Sequence, residues 1–547
     1  PVVSNQDGDI YGISKLVGAE VVNPLALIDI GNDETTKDEL VGNVYGEFEP
    51  IEGLRFRSSL GLNLAYLTYD GFRPLFFLNG AQLNTEKTSV NKTIERYFTW
   101  QWNNTVAYDK KVDNHSFGIL LGTEAQEFSF EDLSGFNAGV PTNDPNNVYL
   151  NLATDTVWTA NGGARESALF SIFGRLNYSF KDKYSFTAIV RRDGSSKFGP
   201  NRRYGIFPSF GAAWVASDEE FLQNLGPINY LKFRAGWGIN GNQEIGDYQF
   251  VSRLISNRRY LFGNSSAIGT SPVSLENGDI GWEESEQINF GADFGAFENR
   301  LQGSIDYYVK NTNDLLEIVP ILGHVGNDPS DSNVGSIQNK GIELALNWRN
   351  SAGAVKYSFG INGAYNINKV TFIGNPQKTL PGASWALAGS VTRSEEGQPI
   401  AYFWGYETDG IFQNQNEIFA HINADGELLQ DRAVPGDVRF VDVNGDGEIN
   451  ENDRTNLGNP TPDFTYGFTL GLETKGFDFS VFFQGALGNE IFNGTQRQDL
   501  RYTNRTTKIL DRWTGEGTSN EIPRYTWNDI NNNYRVSDLY IEDGSIS

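Results

Sequence analysis

The stretch LRFRSSLGLNLAY, Leu54 to Tyr66, decides the fold, because apolar and polar or small residues alternate along almost all of it. Leu54, Phe56, Leu60, Leu62 and Leu64 fall on one face of an extended chain. The other face carries Arg55, Arg57, Ser59, Gly61, Asn63 and Ala65. A period of two indicates a β-strand, and about 13 residues is more than twice the usual strand length in soluble sheets. We therefore predict a long strand with one apolar face.

The same alternation recurs along the chain and predicts roughly 15 strands in all. Two of the clearest copies are Phe98 to Tyr108 and Leu231 to Ile239. The 39% apolar content, 13% aromatic content and 60 glycines suit many strands with one apolar face each. No run of about 18 uncharged apolar residues exists, so a membrane-spanning helix is excluded while spanning by strands is not.

The segments between the predicted strands largely alternate between short turns and long loops. Short turns include Lys181 to Lys183 and Thr474 to Gly476, and long loops include Asn240 to Glu283 and Asn368 to Asp463. This alternation places all short turns at one end of an up-and-down antiparallel barrel and all long loops at the other. In outer-membrane barrels the short turns face the periplasm and the long loops face outside. We expect an all-β transmembrane barrel, the alternative being a soluble β-sandwich or propeller.

Composition argues against several classes of function. The 43 basic and 69 acidic residues give a net charge of −26, so nucleic acid is not an expected partner. The chain has no cysteine and only three widely spaced histidines, and we find no nucleophile-base motif, no phosphate-binding glycine loop and no HExxH. We predict that the protein is not an enzyme.

The stretch DVNGDGEINEND, Asp442 to Asp453, matches the ligand spacing of an EF-hand-type calcium loop, with Gly447 at the sixth position where the chain turns sharply. Asp453 stands at position twelve, where the longer Glu is usual. We expect a structural Ca²⁺ site here, Mg²⁺ being less suited, and the alternative is an acidic turn without a metal. The predicted ligands are Asp442, Asn444, Asp446, the backbone carbonyl of Glu448, Asn450 and Asp453.

Several motifs resemble those of the SusC-like class of TonB-dependent outer-membrane transporters. The resemblance covers the chain from about residue 160 to its end. The motifs are RRDGSSKFGP (Arg191–Pro200), YGIFPS (Tyr204–Ser209), LKFRAGWG (Leu231–Gly238) followed by Gly241-Asn242-Gln243, NVGSIQNKGIE (Asn333–Glu343), and the Asp442 to Asp453 loop followed by GNPTP (Gly458–Pro462).

The resemblance implies a 22-stranded barrel in the outer membrane of a Gram-negative bacterium. It implies active import of an oligosaccharide or peptide, energised by the TonB complex and assisted by a SusD-like surface lipoprotein. Residues 1–547 are expected to be part of this barrel, without the plug, the TonB box and the final strands, and residues 368–463 to be a long extracellular loop carrying the cation site. Two alternatives stay open at this point: a passive or adhesive outer-membrane barrel, and a secreted calcium-dependent carbohydrate-binding β-protein. The substrate-binding residues are not predicted.

Overall fold

A computed structural model describes residues 24–79, 82–222, 226–319, 321, 323–385, 389–495, 505–526 and 528–545. Strands make up most of this part of the chain. The strands are β1 (Asn32–Ile51), β2 (Leu54–Arg73), β3 (Phe76–Asn79), β4 (Gln82–Asn84), β5 (Ser89–Val112), β6 (His115–Ala138), β7 (Thr159–Phe180), β8 (Tyr184–Ser195), β9 (Tyr204–Val215), β10 (Ile228–Asn242), β11 (Leu254–Phe262), β12 (Ser265–Pro272), β13 (Glu283–Ala296), β14 (Leu301–Ile318), β15 (Asp331–Ala352), β16 (Val355–Ile373), β17 (Thr379–Pro381), β18 (Thr392–Glu395), β19 (Tyr402–Tyr406), β20 (Thr408–Ile411), β21 (Val438–Phe440), β22 (Arg454–Gly458), β23 (Phe464–Thr474), β24 (Phe477–Leu487), β25 (Glu490–Phe492) and β26 (Ile541–Asp543).

The helices are short. The two α-helices are α1 (Pro24–Ile30) and α2 (Gln415–Ala420). Single 3₁₀ turns lie at Pro145–Asn147, Leu150–Leu152, Ala216–Asp218, Glu220–Leu222, Gly323–Val325, Glu451–Asp453, Thr507–Asp511 and Asp538–Tyr540. Among the described residues, no helix is long and apolar enough to cross a bilayer.

Fourteen strands form one antiparallel sheet in the order β1-β2-β5-β6-β7-β8-β9-β10-β13-β14-β15-β16-β23-β24. Every strand therefore pairs with its nearest sheet neighbour along the chain, as an up-and-down meander requires. The count is close to the roughly 15 strands predicted from the sequence. The lengths run from 11 residues in β23 to 24 in β5, well beyond those of ordinary soluble sheets.

Connection lengths alternate as predicted. The short-turn end carries connections such as Ile51 to Leu54, Val112 to His115 and Ala352 to Val355. The long loops are shorter than predicted because the strands continue into them. The alternation of β2 was expected to end near Tyr66, but the strand runs to Arg73, and β16 runs to Ile373 inside the predicted 368–463 loop. Outside the bilayer the outward-facing side chains of a strand need not be apolar, so the sequence there no longer alternates between apolar and polar residues.

The two faces of the sheet differ in chemistry across most of its width. Eleven residues, paired one to the next across β6 to β24, form an apolar row on one face: Phe117, Tyr178, Phe186, Ala212, Ala235, Phe290, Tyr307, Ile342, Tyr365, Phe464 and Leu487. The row on the opposite face is polar or small: Gly118, Asn177, Thr187, Gly211, Gly236, Asn289, Tyr308, Gly341 and Asn366. A sheet with one continuous apolar face and one hydrophilic face has the pattern of an outer-membrane barrel wall.

The stretch that decided the fold follows this pattern. Leu60 and Leu62 are more than 40% exposed and lie beside the rings of Trp102 and Trp100 on β5. Asn63 falls on the other face, opposite Thr99. The predicted apolar set of β2 therefore shares one face. Exposed leucines and tryptophans side by side are stable only against another apolar medium.

Candidate functional site

The polar face of the sheet carries charges that are paired within the wall. The guanidinium of Arg234 donates to the carboxylates of Asp293 at 2.9 Å and Asp306 at 3.0 Å, bridging β10, β13 and β14. These groups are only partly exposed, and ion pairs of this kind need a hydrophilic surrounding to complete their hydrogen bonding. The polar face is thus suited to line an aqueous interior, and the apolar face to contact lipid.

A second cluster of paired charges lies on the same face, closer to the long loops. Arg191 of β8 donates to Asp193 at 2.7 Å, to Glu124 of β6 at 3.1 Å and to the hydroxyl of Ser171 at 2.7 Å. Both clusters combine one guanidinium with two carboxylates, so the wall is net acidic at these points.

The long-loop end contains a compact folded unit. It is built from the described residues of the connection between β16 and β23 together with residues 505–526 and 528–545. Its interior includes Tyr402, Phe412, Val438 and Phe440, each 1% exposed or less. This connection is therefore an ordered element and can present side chains in fixed positions.

A buried polar network joins the two parts of this unit. The carboxylate of Asp437, which is fully buried, accepts from the Nε of Arg524 at 2.6 Å and from the amide of Asn533 at 2.8 Å. Asn533 in turn accepts from the backbone N–H of Val438 at 2.8 Å. The amide of Gln430 donates to Asn531 at 2.9 Å, which ties the same segments together. Because partners are spread over about ninety residues of sequence, this network holds distant parts of the chain in register.

The acidic loop predicted to bind a cation lies in this unit, between β21 and β22. The structure brings carboxylate oxygens of Asp442, Asp446 and Asp453 within 4.8 Å of one another. Calcium ligands lie about 2.3 to 2.6 Å from the ion, so oxygens on its opposite sides are up to roughly 5 Å apart. The three carboxylates are therefore close enough to share one ion.

Backbone hydrogen bonds shape the loop around this point. Asp442 accepts from the N–H groups of Gly445 at 2.7 Å and Gly447 at 2.9 Å. Gly447 has a φ of +86°, in the left-handed region that glycine tolerates best, as the sixth-position turn requires. The buried Asp453 accepts from Val443 at 3.0 Å and from Asn450 at 2.7 Å, which closes the loop into a ring.

The remaining predicted ligands, Asn444, Asn450 and Glu448, donate hydrogen bonds to Asp446. Asn444 and Asn450 both turn their amide N–H groups toward Asp446, at 2.8 and 3.4 Å. Their own side-chain oxygens accept from the backbone N–H groups of Asp446 at 2.9 Å and Asn452 at 2.8 Å. The three aspartates are thus brought together, while the two asparagine side-chain oxygens accept hydrogen bonds from the backbone. The backbone N–H of Glu448 also donates to Asp446, at 3.0 Å.

Hydrogen bonding favours the charged form of Asp446, the most exposed of the three aspartates. The amide of Asn444 and the backbone N–H of Glu448 lower the pKa of the Asp446 carboxyl below its usual value. A carboxylate that stays ionised at neutral pH is what a hard cation needs.

Asn423 lies outside the acidic loop and holds it in place, and the ligand spacing of the loop did not predict this residue. The amide of Asn423 donates to the backbone carbonyl of Gly447 at 3.3 Å and packs where a Cβ on that glycine would lie. Asn423 is nineteen residues before the first aspartate, so ligand spacing alone gives no signal for it. A contact of this kind fixes the turn against the α2 side of the folded unit.

Together, a long-stranded antiparallel meander with an apolar face, a hydrophilic face and folded loops at one end is the pattern of an outer-membrane β-barrel wall. The chain belongs to the family described as TonB dependent receptor-like, beta-barrel, whose model matches residues 23–541. The predicted family and fold class are confirmed. The predicted non-enzymatic class agrees with the relatives, which are receptors by name.

Two curated relatives illustrate the similarity. TonB-dependent receptor P3 of Formosa agariphila is 33% identical over 99% of this chain and 53% of its own length. TonB-dependent receptor SusC of Bacteroides thetaiotaomicron is 30% identical over 86% of this chain and 45% of its own length. The chain spans about half the length of the curated relatives it matches.

A solved structure shows the same fold. The structure of the RagAB peptide transporter matches 99% of this chain and 58% of that chain with a TM-score of 0.82, at 23% sequence identity. At this identity the likeness supports the fold alone.

Proposed function

We propose that this chain forms the greater part of the wall of an outer-membrane importer that takes up a polar oligomer, an oligosaccharide or a peptide, with energy from TonB. The polar row opposite the apolar row carries the proposal. Asn177, Asn289 and Asn366 offer uncharged donors and acceptors toward the interior at similar height. Groups of this kind suit the hydroxyls of sugars and the amides of peptides.

The relatives support the same proposal. One is named SusC, and the similar fold is that of the RagAB peptide transporter. We propose that a SusD-like lipoprotein works at the long-loop end, where the folded unit offers an ordered surface.

Uptake measurements in cells test the import proposal. The full-length gene is expressed with a SusD-like lipoprotein in an outer-membrane host, with and without functional TonB. Labelled oligosaccharides and peptides are supplied below the concentration at which general porins carry them. Uptake that falls to background without TonB supports active import, and equal uptake in both strains would show a passive barrel instead.

We also propose that Asp442, Asp446 and Asp453 hold a structural Ca²⁺, with the carbonyl of Glu448 and the side chains of Asn444 and Asn450 completing its ligand set. The amides of the two asparagines would turn over to present oxygen to the ion. The mutual repulsion of three carboxylates supports this proposal, because an ion would relieve it.

Removing calcium is expected to loosen the loop without unfolding the barrel. In chelator, protease cleavage within residues 442–453 should become faster, and added Ca²⁺ at about 10⁻⁴ to 10⁻³ M should restore resistance. Asp446→Asn should show the loosened behaviour even with calcium present. Asp425→Asn, an exposed acidic residue outside the ligand set, is the matched control. Equal cleavage of the parent protein with calcium and with chelator would show that the loop is an acidic turn that binds no metal.

Protonation should release the same ion. The pKa of Asp446 is lowered in the fold. Its charged form therefore stabilises the folded loop above the unfolded pKa of about 3.9, and this stabilisation is lost as the pH falls through the folded pKa. Calcium-dependent protection should therefore persist at pH 5 and disappear only in stronger acid. Loss of protection already near pH 6 would assign the effect to another group.

The position of the loop relative to the membrane can be tested by labelling. A cysteine at the exposed Asn452 should react with an impermeant thiol reagent on intact cells, because the long loops face outside. A cysteine at Asp182, in the turn between β7 and β8, should react only after the outer membrane is opened. The reverse pattern would invert the proposed topology.

A further inference from the structure

The apolar face of the sheet is interrupted by a groove close to its short-turn end. Its floor is formed by three small residues, Ala212 on β9, Ala235 on β10 and Ala292 on β13. Ala212 and Ala235 are directly paired across the two strands, whereas Ala292 lies one side-chain step nearer the short turns. The groove therefore descends toward the short-turn end as it crosses from β10 to β13.

Aromatic pairs form the walls of this groove. Phe290 on β13 and Tyr307 on β14, which are paired across the two strands, form one wall. Beyond the groove, toward the long loops, Phe210 and Trp237 stack with ring centroids 5.7 Å apart and an interplanar angle of 10°. On the side of the short turns, Trp214 and Phe233 lie 5.9 Å apart. Two rigid walls with an alanine floor between them give a slot one side chain deep, and its exposed surface is almost wholly apolar.

The lower end of the groove meets a polar cluster. Glu219, just after β9, accepts a hydrogen bond from the hydroxyl of Tyr184 at 2.6 Å and from the indole N–H of Trp214 at 3.3 Å. The ammonium of Lys183 lies 3.4 Å from the same carboxylate. Tyrosine and tryptophan with their polar atoms turned outward are typical of the level of lipid head groups.

We propose that this groove binds one acyl chain of a zwitterionic phospholipid, whose phosphate contacts Lys183 and whose ammonium group contacts Glu219. The groove lies within the lipid-facing belt, so acyl chains are its immediate surroundings. The paired charges of Lys183 and Glu219 match a head group that carries one charge of each sign. A zwitterionic lipid satisfies both, whereas an anionic head group would leave Glu219 facing a like charge.

Bound lipid is measured on the full-length protein, purified from outer membranes in mild detergent and washed until bulk lipid is gone. Phosphatidylethanolamine is then quantified per protein by mass spectrometry. Filling the groove with Ala212→Phe and Ala235→Phe together is expected to lower retained lipid by at least about threefold. Ala188→Phe adds one phenylalanine ring to the apolar face outside the groove and should leave retention unchanged.

Charge reversal tests the head-group contacts separately. Lys183→Glu removes the phosphate contact and should lower phosphatidylethanolamine retention by a similar factor. If the double phenylalanine variant fails to assemble, as judged by heat-modifiable migration in gels, Ala235→Leu takes its place. Equal retained lipid in the groove variant and in the Ala188→Phe control would overturn the proposal.

The competing occupant is a second barrel. Cysteine at Tyr307, on the groove's edge, would cross-link two copies in membranes if a second barrel covered the slot, and that result would also overturn the proposal. We expect no such dimer at this position. Neither measurement depends on transport, so a failure here is distinguishable from a failure of the import proposal.

Discussion

Replacing Leu60 with arginine is expected to destabilise the assembled barrel by about 2 to 4 kcal/mol, because the residue lies in the middle of the apolar stretch of β2 and its side chain faces lipid. Leu60 pairs with Val44 on β1 and Trp102 on β5 and is 43% exposed on the apolar face. A guanidinium there would lose its hydration without gaining a partner. Denaturant titration of the full-length protein in detergent or bilayers measures the change.

The adjacent residue provides the matched control. Ser59 lies on the opposite face, which lines the interior, so Ser59→Arg places the same charge in water. We expect its stability to stay within about 0.5 kcal/mol of the parent protein. If Ser59→Arg were the more damaging of the two, the assignment of the two faces would be reversed.

Replacing Asp437 with alanine is expected to have the second large effect, in the folded unit at the long-loop end. The carboxylate is fully buried and holds both Arg524 and Asn533. Its removal leaves a guanidinium and an amide without their acceptor, which costs about 3 to 5 kcal/mol for a buried pair. Because Arg524 is itself about a quarter exposed, we expect the lower end of that range.

Limited proteolysis should show this effect as release of the C-terminal segment from the unit while the barrel stays assembled. Asp409→Ala is the control, since Asp409 forms an ion pair with Arg439 at 2.9 Å but is 72% exposed. Exposed pairs contribute at most about 1 kcal/mol, so protease resistance should hardly change. Equal sensitivity of the two variants would mean that the buried network does not hold the segment in place.

The sequence predicted the barrel wall well where the membrane constrains it. From Leu54 to Tyr66 every second side chain except Ser58 is apolar or aromatic, so the period is visible without a structure. The constraint ends where the strands leave the bilayer. On β5 and β6 the outward side chains there include Arg96 and Glu131, which form an ion pair at 3.4 Å, and the apolar period is lost although the strands continue.

The candidate cation site was predictable because its ligands are local. Asp442, Asp446 and Asp453 meet through a single turn whose glycine is required by its φ. The surrounding unit was not predictable in this way. Asp437 meets Arg524 and Asn533 only after the chain has completed β23 and β24, and no short-range pattern records a contact over that distance.

The claim that one face of this chain contacts lipid and the other lines an aqueous interior is tested most directly by a cysteine scan of residues 59–64 in the full-length protein. Single cysteines are treated in membranes with a water-soluble thiol reagent and, separately, with a lipid-soluble one. Positions 59, 61 and 63 are expected to react with the water-soluble reagent and positions 60, 62 and 64 with the lipid-soluble one. Reactivity that does not alternate, or that alternates in the opposite sense, would contradict it.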